Sequence, residues 1–140
     1  MAVQNKFNSF VEAVAEKVHN LGADTFKVML TNTAPVATNT VKADLVEIAA
    51  GNGYTAGGNT AAVVSSAQTA GTYKLTLADP AVWTAAGGTI GPFRYSVIYN
   101  DTATNKELIG WWDYGSSITL NIGETFTVDL DQTNGLLTLT

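Results

Sequence analysis

Gly51-Asn52-Gly53-Tyr54-Thr55-Ala56-Gly57-Gly58-Asn59 comes nearest to a chemical site, because converging backbone amides in a glycine-rich turn are how chains cradle phosphate. The GxGxxG spacing fails by one residue, since the third glycine falls at Gly57. No Gly-Lys-Ser or Gly-Lys-Thr follows, and the run leads into a β-pattern rather than a helix N-terminus. A structural or interface loop is the expectation. Asp129-Leu130-Asp131-Gln132-Thr133-Asn134-Gly135 imitates the start of a calcium loop, in which alternate oxygens wrap a hard cation. Its glycine arrives one place late, Thr133 holds the fifth position, and Thr140 stands where a bidentate glutamate belongs. Asp129 and Asp131 read instead as the solvent face of a strand whose inner face is Phe126, Val128 and Leu130.

His19 is the only histidine and there is no cysteine, so neither a serine or cysteine triad of the usual kind nor a histidine-based zinc site can be assembled. The expected role of His19 is a charged helix end. Asp113 and Glu107 could pair as carboxylates, but no spacing selects them for mutual pKa perturbation. No enzymatic activity, metal or cofactor is expected. Trp83, Trp111, Trp112 and Tyr114 could form a sugar platform; strand alternation, however, sends Trp111 and Trp112 to opposite faces, one to the core and one to an edge or interface. Asn100-Asp101-Thr102 matches a glycosylation sequon, but the N-terminus lacks the basic and apolar regions of a secretory signal.

The elements that must position these residues are mostly β. Phe7, Phe10, Val11, Val14, Ala15, Val18 and Leu21 keep helical spacing and predict one amphipathic helix over residues 5–21. Asn5, or Ser9 with Glu12, would cap its start and Gly22 would end it. The period then changes to two. Strands are expected at 25–32, 60–67, 72–78, 82–86, 93–99, 107–114, 117–121, 124–131 and 136–140, the last entered through an Asn134-Gly135 hairpin. Residues 32–39 form a loop around Pro35, and Val41 to Ile48 fits either a short helical turn or a strand. Roughly eight strands with turns every eight to twelve residues predict a mainly β domain, an antiparallel β-sandwich (jelly-roll-like) or flattened barrel carrying one N-terminal helix.

With 140 residues the chain suits a single domain over 1–140. Its charged content of 14% is low, and Gly, Thr, Ala and Asn fill the gap. The net charge of -5 and the scattered basic residues give no footprint for a nucleic-acid backbone, so no direct nucleic-acid contact is expected. No run approaches the ~18 apolar residues of a membrane span, and no membrane partner is expected.

Several runs carry a family resemblance: NKFNSFVEAVAEKVHNLG, TFKVMLTNTAPVATNT, EIAAGNGYTAGGN, GPFRYSVIYNDTATNKELIGWWDYGSSITL and GETFTVDLD. Over nearly the whole chain these resemble small structural proteins of tailed-bacteriophage virions. The resemblance implies a particle component, made in a host cytoplasm and residing in the virion. The expected function is a capsid decoration (cement) protein that contacts the major capsid protein as a dimer or trimer. A tail-tube or tail-tip component and a virion carbohydrate-binding module are the alternatives. Loops rich in Gly and Asn can follow a partner's backbone closely. The expected contact residues are therefore Asn32 and Pro35 in one loop and Asn52 and Tyr54 in a second, mobile one. Ala2, Val3 and Gln4 join them as an unpaired arm free to add a strand to a neighbour, and Trp112 as an exposed aromatic.

Overall fold

The period-two runs fold as antiparallel strands in a computed structural model that describes residues 2–140. In chain order these are β1 (Gln4–Lys6), α1 (Ser9–Ala15), β2 (Phe26–Thr31), β3 (Asn59–Ala61), β4 (Val63–Thr69), β5 (Thr72–Leu77), β6 (Trp83–Thr84), β7 (Ile90–Asn100), β8 (Leu108–Leu120), β9 (Thr125–Phe126) and β10 (Leu137–Leu139), with a 3-10 turn at Lys42–Asp44. A five-stranded sheet runs β1-β8-β7-β2-β3, a three-stranded sheet runs β10-β5-β4, and β6 pairs with β9. The sheets stack as a sandwich and do not close into a barrel.

Two apolar clusters hold the large sheet from its two faces. Between the sheets lie Phe26, Val28, Leu30, Leu75, Leu77, Trp83, Phe93, Ile98 and Trp112, joined by Phe10 of α1. On the opposite face Met29, Val97, Tyr99 and Leu108 pack with Phe7 and Leu45. Alternation along β2 therefore sorts Phe26, Val28 and Leu30 from Met29 and Thr31 as expected, yet both sets are fully buried. The cause is residues 32–47, which fold back over the outer face of the sheet. Thr31 Oγ1 donates to the Val46 carbonyl at 2.5 Å, and Glu47 forms an antiparallel bridge with Thr31. Val41 to Ile48 thus satisfies both sequence readings, a helical turn first and a strand-like bridge after it.

The helix departs most from expectation. Residues 4–6 do not enter it; they pair with Trp112, Trp111 and Gly110 as an edge strand. Gly110 permits this, because a Cβ there would stand 2.6 Å from the Asn5 carbonyl oxygen. Asn8 precedes the first turn, and the helix ends after Ala15 rather than near Gly22. Lys17 adopts φ 65°, the Lys17 amide donates to the Val14 carbonyl at 3.3 Å, and the Val18 amide reaches the Ala13 carbonyl at 2.8 Å. That pair of bonds is a Schellman ending with a lysine where glycine is usual. Phe10 and Leu21 are buried as the stripe requires, whereas Val11 and Val18 are exposed and Phe7 turns to the far face of the sheet. Lys17→Gly removes a left-handed penalty of about 1 to 2 kcal/mol but loosens the unfolded chain by about 0.4 to 1 kcal/mol. A net gain of about 0.5 to 1 kcal/mol is expected from the urea midpoint, with none for Lys17→Ala.

The long strands are continuous where the sequence suggested breaks. β8, Leu108–Leu120, joins the strands expected at 107–114 and 117–121, and its interruption is a register shift against β7 between Phe93 and Tyr95, near Gly115 at φ 88°. Of the expected strand over 124–131 only Thr125–Phe126 pairs, although Val128 and Leu130 remain buried. The Asn134-Gly135 hairpin does not form. Asp131 accepts from the Thr133 and Asn134 amides, and β10 pairs with β5 instead.

Candidate functional site

The glycine-rich loop is built around one carboxylate. Glu47 Oε1 accepts from the Tyr54 hydroxyl at 2.7 Å and from the Gly57 amide at 2.6 Å, while Glu47 Oε2 pairs with Lys42 Nζ at 2.7 Å. Tyr54 OH in turn accepts the Leu30 amide of β2 at 3.0 Å, and Tyr99 OH donates to the Gly57 carbonyl at 2.6 Å. Burial pushes both phenols further above their usual range and keeps them neutral donors. Along the edge of β2, β3 takes Phe26 to Val28, and residues 46–48 take Leu30 and Thr31. The loop bridges these two segments. Its Asn52 side chain donates to the Thr89 carbonyl at 3.0 Å, and the Asn52 carbonyl accepts the Ala86 amide at 2.9 Å.

These contacts change the status of several expected contact residues. Tyr54, 3% exposed, is a core residue that locks the loop rather than a side chain available to a partner. The loop, expected from its glycines to be mobile, is tied to the sandwich at both flanks. Trp112 is also buried, at 7% exposure, because its face of β8 looks into the space between the sheets. Pro35 is buried as well. Gln4 belongs to β1 of its own sheet, so the N-terminal arm is paired within the chain from Gln4 onward. Ala2, Gln4 and Trp112 line one small cavity of about 220 Å³ with Leu130 and Leu136. Val3 at 78%, Asn32 and Asn52 remain on the surface. These three do not make one patch: Val3 precedes β1 at one edge of the large sheet, whereas the loop of Asn52 sits at the β2–β3 edge.

Trp111 and Trp112 do face opposite ways, and Trp111 rests half-buried with its ring 4.5 Å from that of Phe7. Trp83 is 1% exposed and stacks near Tyr54 and Phe126. Neither Trp83 nor Trp112 can offer a face to a sugar.

His19 is not an exposed helix end. It is 5% exposed, and its Nδ1 lies 3.0 Å from Asn100 Nδ2, which also donates to Asp24 Oδ2 at 2.6 Å. An amide nitrogen can only donate, so Nδ1 accepts and the neutral ring carries its proton on Nε2. The sequon residue Asn100 is wholly buried in the same cluster, its Oδ1 accepting the Thr102 and Ala103 amides. Burial lowers the pKa of His19 more than nearby Glu107 and Asp24 raise it. The unfolded chain therefore takes up the proton first as pH falls. Stability from this group is complete above about pH 6.5 and is lost as pH drops through the lower folded value. Urea midpoints measured between pH 7.5 and 5.5 should fall for the wild-type chain and fall less for His19→Gln; equal slopes would remove His19 from the account.

The sequence missed Glu47, Lys42 and Tyr99 as partners of the loop. One signal was available: Glu47 is the last charge before a long neutral run and lies between Val46 and Ile48, an isolated acid beside apolar residues. Asp129 and Asp131 are both exposed, and Asp131 spends its oxygens on the backbone turn and on Asn134, which hold its carboxyl below the usual range. Among the described residues no group of three or more His, Asp or Glu side chains is placed to hold a metal ion, and no helix is long and apolar enough to cross a membrane. Comparison with protein-family models, curated proteins and solved structures finds no match in any of the three.

Proposed function

We propose that this chain is a non-enzymatic structural component of a tailed-phage particle, a decoration protein that binds and stabilises the assembled head. The supporting observation is a sandwich whose long loops are pinned to it by part-buried polar contacts while it exposes several apolar side chains, among them Val3, Val36, Val46, Val82 and Ile122. Such a surface suits many modest contacts repeated on a lattice, where multiplicity supplies the strength. The resemblance of its sequence runs to virion structural proteins points the same way. Val3, Asn32 and Asn52 are the contact residues retained in this reading, and the major capsid protein is the partner.

The test is occupancy on purified capsids. Val3→Glu and Asn32→Ala should lower the amount bound while leaving the melting temperature of the free protein unchanged. Capsids lacking the protein should rupture at lower temperature, because a ligand of the assembled state stabilises it. Recovery of the protein only in purified tails, with capsid stability indifferent to its loss, would transfer the proposal to a tail component.

A further inference from the structure

We infer that the free edge of β4 pairs antiparallel with β4 of a second copy of this chain, joining the two three-stranded sheets into one sheet of six strands. β4 ends its sheet, with β5 on one side and no described strand on the other. Among the described residues it is the longest edge strand, seven residues against three each in β1, β3 and β10 and two each in β6 and β9. A row of unpaired amides and carbonyls of that length is a template for another strand, and proteins that stay monomeric guard such rows with charge, proline, bulges or a covering element.

Most of that protection is missing here. No residue between Glu47 and Lys74 is charged, and the only proline in the neighbouring sequence, Pro80, lies beyond β5. The one blunting device is a bulge between Val63 and Ser65; from Ser65 to Thr69 the strand keeps regular register with β5. Ser65, Ala67, Gln68 and Thr69 are exposed along this stretch, and Val64 is 61% exposed beside it.

The occupant follows from charge. The chain carries a net -5, so two copies repel each other except where a surface is neutral, and β4 is such a surface. An uncharged edge has nothing with which to steer or select a foreign strand. A two-fold contact of the edge with itself is self-complementary by symmetry, and antiparallel pairing about Ser66 would set Ser65 opposite the second copy's Ala67 without any like charges. This inference stands apart from the capsid reading, since it concerns the free protein.

Sedimentation equilibrium and hydrogen exchange on the full chain decide it. The wild type should have the mass of two chains at micromolar concentration, and exchange of amides within 65–69 should slow as concentration rises while that of β1 does not. Placing carboxylates on both facing positions, Ser65→Glu with Ala67→Glu, should weaken association by more than about tenfold and leave the melting curve cooperative. A monomeric wild type, or a dimer whose β4 exchange is independent of concentration, overturns the inference. Protection of β4 that appears only when purified capsids are added would assign the edge to a foreign strand, and overturns it equally. If the double variant does not fold, the concentration dependence of wild-type exchange still gives the answer.

Discussion

Tyr54→Ala is expected to destabilise the isolated protein by about 3 to 5 kcal/mol, the range for emptying an aromatic site in a packed core. Tyr54 is 3% exposed and belongs to the cluster between the sheets, its ring 6.4 Å from that of Trp83. Its hydroxyl also accepts the Leu30 amide and donates to Glu47, so truncation leaves a β2 amide and a carboxylate oxygen with one partner fewer. Tyr54→Phe isolates this second effect. It keeps the ring, loses both bonds, and should cost about 1 to 3 kcal/mol. Guanidinium unfolding of the two variants beside the wild type measures both numbers. A Tyr54→Ala protein with an unchanged midpoint would mean that the side chain is not holding the loop and would return it to the set of possible partner contacts.

What the sequence made legible was whatever depends on local period. β2, β5, β7 and the first part of β8 appear where alternation placed them, Trp111 and Trp112 divide between faces, and Val128 and Leu130 point inward even where no ladder forms. The errors share a different cause, which is that pairing partners are not written in the period. Asn5 and Lys6 precede an apolar helical stripe and suit its cap and first turn, but edge pairing of Gln4 to Lys6 with β8 outweighs helix propensity at a fraying end. Leu136 onward resembles the return arm of a hairpin, yet the Leu136 amide finds the Leu75 carbonyl at 2.7 Å in another sheet.

Tyr54 is buried for a related reason. Gly and Asn in a run signal irregular backbone, but irregular backbone does not by itself make every side chain in it accessible. Tyr54 in the middle of that run was the contrary signal. A tyrosine among glycines supplies the buried area that glycines lack and a hydroxyl that can tie the backbone down. Helical spacing continues to residue 21 and would put His19 at a helix end, whereas the left-handed Lys17 ends the helix early and turns the histidine inward onto Asn100.

Within the same loop, Gly58→Ala and Gly51→Ala should separate a close-packed structural glycine from a merely flexible one. Gly58 has φ +78°, and a Cβ on it would lie 1.9 Å from the Val28 carbonyl oxygen and 2.8 Å from Met29 Cα. Those atoms belong to the middle of β2, hydrogen-bonded to β3 and β7 and buried on both faces, so they cannot give way locally. The expected cost is about 2 to 5 kcal/mol, combining about 1 to 2 for the left-handed conformation with about 1 to 3 for overpacking. Gly51 has φ +123° but nothing within 4 Å of its would-be Cβ, so Gly51→Ala should show backbone strain alone, about 1 to 2 kcal/mol. Equilibrium unfolding of the pair under one condition gives the difference directly. Equal small losses at both positions would mean that the loop floats free of β2, and the anchored surface on which the capsid reading rests would lose its support.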